Sequence, residues 1–420
     1  MNDKSKHPCF NVEAKGRYGR VHLPVAPKCN IQCKYCNRKY DCVNESRPGV
    51  TSTVLSPDDA LRYIDKVREK TDYISTVGIA GPGDPFANVE ETLRSMELIH
   101  AKYPDMIFCL STNGLELFPH IARLKNAGVT HVTITINAVD PEIGAKIYSW
   151  VRFNKRNLRG VEAARVLMNE QLRCIPALKG AGITVKINSI IIPGVNEHHI
   201  PEVAKKVKAL GADIMNCIPL LITPDTEFEH LENPDAEMVA EVTAAAEKHL
   251  PLMRHCQRCR ADAAGLLGCE DKCLGAELLK ISNNKEWIKP ERPYVAVASH
   301  EGLLVNQHLG EAECLHIFFK TENGTFRSVE KRLTPSKGVE DRWEQLADSL
   351  SDCSVLLVSG IGQKPLEILG KTPLEVLKTG GLITDNLKDV YNGNPLKNMA
   401  YGDIASCKLS CAGNSGQGCG

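Results

Sequence analysis

The sequence lacks the features that mark several classes of protein. No apolar run approaches the ~20 residues that a membrane-spanning helix requires. The opening stretch, MNDKSKHPCFNVEAKG, is polar and has no hydrophobic core of the kind that makes a secretory signal. Net charge is absent too. Lys plus Arg and Asp plus Glu both number 51, so no global field draws nucleic acid or an acidic membrane surface. No segment repeats. What remains is an ordinary globular composition, 43% apolar and 24% charged over 420 residues, enough for two domains. These traits predict a soluble, cytoplasmic protein without nucleic-acid or membrane partners.

Cysteine is the exception to this ordinariness, at 17 residues. Cys9, Cys29, Cys33, Cys36 and Cys42 crowd the start, four more fall between Cys256 and Cys273, and Cys407, Cys411 and Cys419 close the chain. In a large chain without a signal, such clusters read as metal sites rather than disulfides. The scattered ones, Cys174, Cys217, Cys314 and Cys353 among them, read as small buried hydrophobes.

The first two thirds alternate β and α patterns. Short, β-branched, apolar runs at Arg20–Ala26, Ile74–Ala80, Met106–Ser111, His131–Asn137, Thr184–Ile192 and Asp213–Leu220 predict strands buried on both faces. Helical stretches lie between them, one opened by Ser56-Pro57 with Ser as N-cap. Six βα units predict an α/β fold whose parallel sheet curls into a partial or full TIM-like barrel, with a flat doubly wound sheet as the competing architecture. The predicted division is a barrel with its ligating segments over 1–280, a linker over 281–293, a smaller α/β domain over 294–403 and a Cys/Gly-rich tail over 404–420. In the small domain, strands are expected at Tyr294–Ser299, Leu315–Lys320, Val355–Ser359 and Gly381–Thr384.

Cys29-Asn-Ile-Gln-Cys33-Lys-Tyr35-Cys36 follows the first predicted strand. Three thiolates on one loop can hold three irons of a 4Fe–4S cubane and leave the fourth open. S-adenosylmethionine (SAM) can chelate that iron, placing its sulfonium beside a one-electron donor, with Tyr35 beside the adenine. A structural zinc loop is the plain alternative, but zinc favours four ligands from paired CxxC units. Further motifs end the other strands: Gly81-Pro-Gly83-Asp84-Pro, Thr112-Asn-Gly114, Asn137-Ala-Val-Asp140 and Ile192-Pro-Gly194. Ligands collect at this carboxyl rim. Gly81 and Gly83 would admit close backbone approach to the methionine amino group. Thr135 and Asn137 share strand parity, and Ile187 is a candidate wall for the adenine.

The triplet resembles the radical SAM superfamily, and the surrounding text resembles the NifB family of nitrogenase cofactor maturases. The carrying residues are His7-Pro-Cys9-Phe, Cys29–Cys36, Asn37–Cys42, Glu45-Ser-Arg47-Pro-Gly49, Ala80–Ala87, Ser111–Gly114, Thr133–Asp140 and Cys256-Gln-Arg-Cys259 through Gly265. The resemblance implies a radical SAM type of barrel that fuses two 4Fe–4S clusters and inserts a SAM-derived carbide, giving an 8Fe–9S–C precursor of the nitrogenase cofactor. It implies two substrate-cluster ligand sets, Cys9/Cys256/Cys259 and His22/Cys42/Cys109, beside the SAM-binding cluster at Cys29, Cys33 and Cys36. Glu45 and Arg47 are candidates for charge control or proton handling, with a plain loop ion pair as the alternative. Iron–sulfur donors, a reductant protein and downstream cofactor carriers are the implied partners. The segment Val295–Ala312 resembles NifX/NafY-type cofactor-binding domains, which makes His300 and His308 candidate transient ligands. Two rival functions stay open: a radical SAM enzyme acting on an organic substrate through auxiliary clusters, and a non-catalytic cluster scaffold.

Overall fold

A computed structural model of the protein describes residues 4–44, 50–51, 53–256, 258–283, 287–394 and 396. Glu45, Arg47 and the tail cysteines lie outside these residues. The chain divides into two compact units, Met1–Ser282 and Asn283–Gly420. No described helix is long and apolar enough to cross a membrane.

The first unit is built on an eight-stranded sheet. Its strands are β1 (Gly19–His22), β2 (Ile74–Ile79), β3 (Ile107–Thr112), β4 (Val129–Thr135), β5 (Thr184–Ile191), β6 (Ile214–Pro219), β7 (Ala264–Leu266) and β8 (Cys269–Glu270), ordered β8-β7-β1-β2-β3-β4-β5-β6. The pairs from β1 through β6 are parallel, and β7 adds antiparallel to β1. A doubly wound sheet needs a reversal of strand order at its middle. Here β1 to β6 succeed one another without reversal. Right-handed crossovers then put every helix on one face, which leaves the other face as a concave interior. The curled architecture therefore prevails over the flat one.

Strand parity sorts the side chains. Val21, Leu23, Val77, Ile79, Phe108, Leu110, Val132, Ile134, Val185 and Ile187 join the helices in one hydrophobic core. The opposite parity carries Arg20 and His22 on β1, Gly78 on β2, Cys109 and Ser111 on β3, His131, Thr133 and Thr135 on β4, and Lys186 and Asn188 on β5. Strands of a parallel sheet are ordinarily apolar on both faces. These are apolar on one.

Two local structures hold the rim. Ile31–Cys33, within the cysteine loop, pairs antiparallel with Tyr148–Phe153, which pairs in turn with Arg156–Leu158. This small sheet was not evident from the sequence and anchors the loop. On the other side, the Gly83 N–H donates to Ala26 O (2.6 Å) and the Asp84 N–H to Lys28 O (2.8 Å). A Cβ on Gly83 would sit 2.1 Å from Lys28 O. The missing side chain is thus needed to dock one rim loop on another, a different use from the expected approach to SAM.

The second unit has a five-stranded sheet, β9 (Tyr294–Val297), β10 (Cys314–Lys320), β11 (Phe326–Leu333), β12 (Cys353–Val358) and β13 (Glu375–Lys378), ordered β11-β10-β9-β12-β13. The strand expected at Gly381–Thr384 is instead Glu375–Lys378. Gly381 takes φ +83° and Ile383 opens a helix to Tyr391, so the chain turns where a strand was expected. The helix Lys272–Asn283 runs into the start of the stretch read as a linker.

Gly83→Ala forces its Cβ against backbone that cannot rotate away. We expect a loss of about 3 kcal/mol, the upper end of overpacking costs, read as a lower denaturation midpoint of the cluster-free protein. An unchanged midpoint would show that the two rim loops are not locked together.

Candidate functional site

Cys29, Cys33, Cys36 and Cys42 line one cavity at the carboxyl rim, together with Arg38, Asn44, Ala80, Gly83, Asp84, Ser111, Thr112, Asn113 and Thr135. The loop is clamped from within, since the Gln32 side-chain amide donates to Cys33 O (3.0 Å) and Cys36 O (2.6 Å). Burial pushes the Cys29 thiol up to about 12, and it raises those of Cys33 and Cys42 as well. Burial also raises Cys36, which the Arg38 guanidinium opposes. Arg38 itself donates to Pro27 O (2.8 Å) and Pro82 O (3.1 Å), so its position is fixed by the rim backbone. The metal-free thiols are therefore protonated at neutral pH, and binding iron expels their protons.

The donor set fits a three-ligand iron–sulfur cluster with SAM beside it. The three thiols of the Cys29–Cys36 loop reach one cavity, which Cys42 also borders, and the Ser111 hydroxyl on its wall is buried without a hydrogen-bond partner among the described residues. Among the described residues no three His, Cys, Asp or Glu side chains converge on a point small enough for a single ion. A four-iron cube is larger than an ion, and its sulfurs stand correspondingly farther apart.

Several residues expected at the cofactor do other work. The Tyr35 ring is buried behind the cavity wall. Its hydroxyl donates to Asn44 Oδ1 (2.7 Å) and accepts from Asn137 Nδ2 (2.7 Å), while Asn137 Oδ1 accepts from the Ile190 N–H (2.8 Å). Tyr35 and Asn137 form a buried strut that fixes the loop to β5. Ile187 faces the helices, because the adjacent residues Lys186 and Asn188 take the interior parity. The expected adenine wall there is corrected to a core position. Gly81 lies off the cavity wall, with φ +145° and the Cβ of Ala261 3.2 Å from where its own would stand. Asp84 borders the cavity, but its carboxylate accepts from the Thr112 hydroxyl (3.0 Å), the Asn113 N–H (2.6 Å) and the Phe86 N–H (2.9 Å). It holds two rim loops together.

Deeper in the interior, His22, Gly78, Cys109 and His131 form one row across four strands. A Cβ on Gly78 would lie 3.0 Å from His22 Cδ2 and 3.2 Å from Cys109 Sγ. Glycine is the gap across which histidine and cysteine face each other. His22 Nδ1 donates to Arg260 O (3.0 Å), which fixes the tautomer and leaves the Nε2 lone pair available. Burial lowers the His22 pKa to about 4, so that lone pair stays free of a proton at neutral pH. Cys42 lines the cavity of Cys29, Cys33 and Cys36, whose lining does not include His22 or Cys109, and the thiols that act on it are those three.

The third group closes the interior from below. His7 and Phe10 pack on His131, with ring centroids 4.5 Å away in each case, and Lys186 Nζ lies over the Phe10 ring. This places Cys9 inside the interior, where burial first and then the charge of Cys259 raise its thiol pKa. Cys259 Sγ accepts from Arg20 Nη2 (3.0 Å). Cys256 borders a second cleft at the β6 edge with Asn216 and Arg258. Cys269 and Cys273 are exposed.

Arg38 and Asn44 on the cysteine loop, and Arg20 and Lys186 on strands, are site residues that motif reading missed, and for the two strand residues a signal existed. The available signal was parity: polar residues alternating with branched aliphatics along strands that a covered parallel sheet should make apolar on both sides.

Against known families, residues 23–207 match the radical SAM superfamily, and residues 291–393 match the family described as dinitrogenase iron-molybdenum cofactor. The chain is similar to the FeMo cofactor biosynthesis protein NifB of Chlorobaculum tepidum, 48% identical over 420 residues and 98% of each chain. It is 39% identical to that of Bradyrhizobium diazoefficiens, over 88% of this chain and 82% of the relative. With that of Klebsiella pneumoniae it is 38% identical, over 88% and 86%.

Tyr35→Phe removes the donor to Asn44 Oδ1 in a buried setting and leaves Asn137 Nδ2 with only the Tyr148 hydroxyl (3.3 Å). It should cost about 1–3 kcal/mol in denaturant unfolding of the cluster-free protein, and no change would show that water replaces the hydroxyl. His22 gives a pH signature. Its folded pKa of about 4 lies below the ordinary 6.5, so the unfolded chain binds the proton first. Stability of the cluster-free protein should therefore fall as pH drops from about 6.5 toward 4. His22→Gln should flatten that slope.

Proposed function

Because the chain belongs to the NifB family of FeMo cofactor biosynthesis proteins and is a radical SAM enzyme, we propose a division of labour among its cysteines and His22. The family's role is to fuse two 4Fe–4S clusters around a carbide drawn from SAM, giving the 8Fe–9S–C precursor of the nitrogenase iron-molybdenum cofactor. Cys29, Cys33 and Cys36 hold the SAM-binding cluster. His22, Cys42 and Cys109 hold one substrate cluster, and Cys9, Cys256 and Cys259 the other. The shared row of His22, Gly78 and Cys109 in the barrel interior carries this reading most directly.

When bound, the SAM-binding cluster supplies the one electron that cleaves SAM to methionine and a 5′-deoxyadenosyl radical. The chain's own residues do the rest. Cys29, Cys33 and Cys36 leave one iron open to SAM, with Cys42 on the same cavity given to a substrate cluster. Ser111 and Thr135 offer hydroxyls along the cavity wall. Interlocked rim loops keep water from a radical that would abstract hydrogen from whatever it met. The reaction would draw on two SAM molecules. One gives its methyl group to a sulfide of a substrate cluster and leaves as S-adenosylhomocysteine. The other is cleaved so that its deoxyadenosyl group takes a hydrogen atom from that methyl and leaves as 5′-deoxyadenosine. Both must sit at short, fixed distance from the same sulfide. Three-ligand sites suit clusters that have to fuse and leave, since each keeps an open iron. Glu45 and Arg47, directly after Cys42 in sequence, are assigned to proton and charge handling there.

For the second unit we assign reception or delivery of the product cluster, with the partners being cluster donors, a reductant protein and downstream carriers. His308 is its candidate ligand. Nδ1 of His308 accepts from the Gly310 N–H (3.1 Å) and the ring lies against Gly360, so the ring is held in place with its proton on Nε2, which a transient bond to iron has to displace. His300 is the alternative on the same segment.

The test is a product count. Anaerobically loaded protein given SAM and dithionite should yield both 5′-deoxyadenosine and S-adenosylhomocysteine, and Cys29→Ala should abolish the first. Cys9→Ala and Cys109→Ala should each lose about one cubane's worth of iron while the triad stays loaded. Deoxyadenosine alone, or iron unchanged in both variants, would exclude cluster fusion at these sites.

A further inference from the structure

Arg20 is 1% exposed, and its described hydrogen bonds include no carboxylate. One arm, Nη1, donates to Gly265 O (2.6 Å) and Leu266 O (3.0 Å) on β7. The other, Nη2, is aimed at Cys259 Sγ (3.0 Å), while Nε is buried without a partner among the described residues. A guanidinium does not give up its proton in a protein. A buried cation is costly unless an anion stands beside it, and a neutral thiol is a weak acceptor. An iron-bound thiolate is a charged one.

We propose that Arg20 is the fixed counter-charge of the substrate cluster bound by Cys9, Cys256 and Cys259, a positioning residue that reaches it through Cys259. The inference rests on the ligand assignment above. It gives the two substrate sites a common logic. At one, a neutral imidazole replaces a thiolate and removes a negative charge. At the other, three thiolates remain and a guanidinium offsets one of them. Two cubanes that must approach and fuse then repel each other less. Arginine is needed rather than lysine because one fork must hold β7 while pointing at sulfur.

The test uses the loaded protein with Arg20→Gln, Arg20→Lys and Cys259→Ser, followed by redox titration under electron paramagnetic resonance and by iron release to a chelator. Cys259→Ser should remove one cubane's worth of iron and one resonance, which identifies the cluster. Arg20→Gln should move that resonance to a more negative potential and speed its iron release about tenfold or more. Arg20→Lys should restore the potential more than the release rate. Were Arg20→Gln to lower the melting temperature while potential and release stayed put, Arg20 would be a staple for β7 and the proposal would fall. If Arg20→Gln does not fold, faster release in Arg20→Lys supports the proposal and unchanged release overturns it. Full iron retention in Cys259→Ser would instead overturn the ligand assignment itself.

Discussion

The unusual constraint in this fold is that the inner face of a parallel sheet is kept largely polar, with aliphatics such as Ile190 and Ile218 confined to the part that packs behind the cysteine loop. Covered parallel strands usually gain stability from branched aliphatics on both faces. Here β1 to β5 spend only one parity on the core, and the other carries imidazole, thiol, hydroxyl, amide and two cations. Burying such groups is unfavourable unless each finds a partner. Many do: Asn188 donates to Asn44 O, His22 to Arg260 O and Asn113 to Asn30 Oδ1. Others, Ser111 Oγ and Arg20 Nε among them, have none among the described residues. An interior of this kind is built around a guest, and its incomplete satisfaction is what the guest completes.

Keeping that interior open requires that its walls be stiffened from outside. Loops at a barrel rim are ordinarily the mobile part of the fold. The cysteine loop is instead gripped on three sides, by a hairpin pairing with Ile31–Cys33, by the Tyr35–Asn137 strut behind it, and by Gly83 and Asp84 docking on Lys28 and Asn113. The aromatic residue of the motif contributes rigidity through its hydroxyl while its ring joins the core beside the cavity. A thiol ligand set held this firmly does not need the cluster to define its geometry.

How far the sequence disclosed this differs by residue. The strands were legible because each pairs β-branched apolar runs with a turn motif, and the curl of the sheet followed once their order was known. The triad was legible because its three members sit within eight residues. The roles of Ile187 and Gly81 were not, since parity along a strand cannot be anchored without a contact that fixes one residue inward. Gly78 was equally hidden: its meaning lies in what stands on the neighbouring strands, His22 and Cys109, which are 56 and 31 residues distant. The hairpin Tyr148–Phe153 was missed because it follows a helix of only seven residues and reads as the helix's continuation. The strand in the second unit was misplaced by a few residues because two glycines, Gly380 and Gly381, interrupt the apolar pattern there.

Protonation ties these observations together. Burial makes the thiols of Cys9, Cys29, Cys33, Cys36, Cys42 and Cys259 hold their protons more tightly, and makes His22 hold one less tightly. Both shifts favour neutral groups in the absence of metal, so the interior then carries little charge beyond Arg20, Arg38, Lys186 and the Asp84 carboxylate. Iron reverses this by expelling the thiol protons. The site then gains several negative charges at once in a region from which water has been displaced. Positive groups already fixed there, Arg20 at Cys259 and Arg38 at Cys36, do not have to move to meet them. An electrostatic environment arranged before the charge arrives avoids the reorganisation that water would need, and in a chain that must gather, join and release anionic clusters, that advantage recurs at each step.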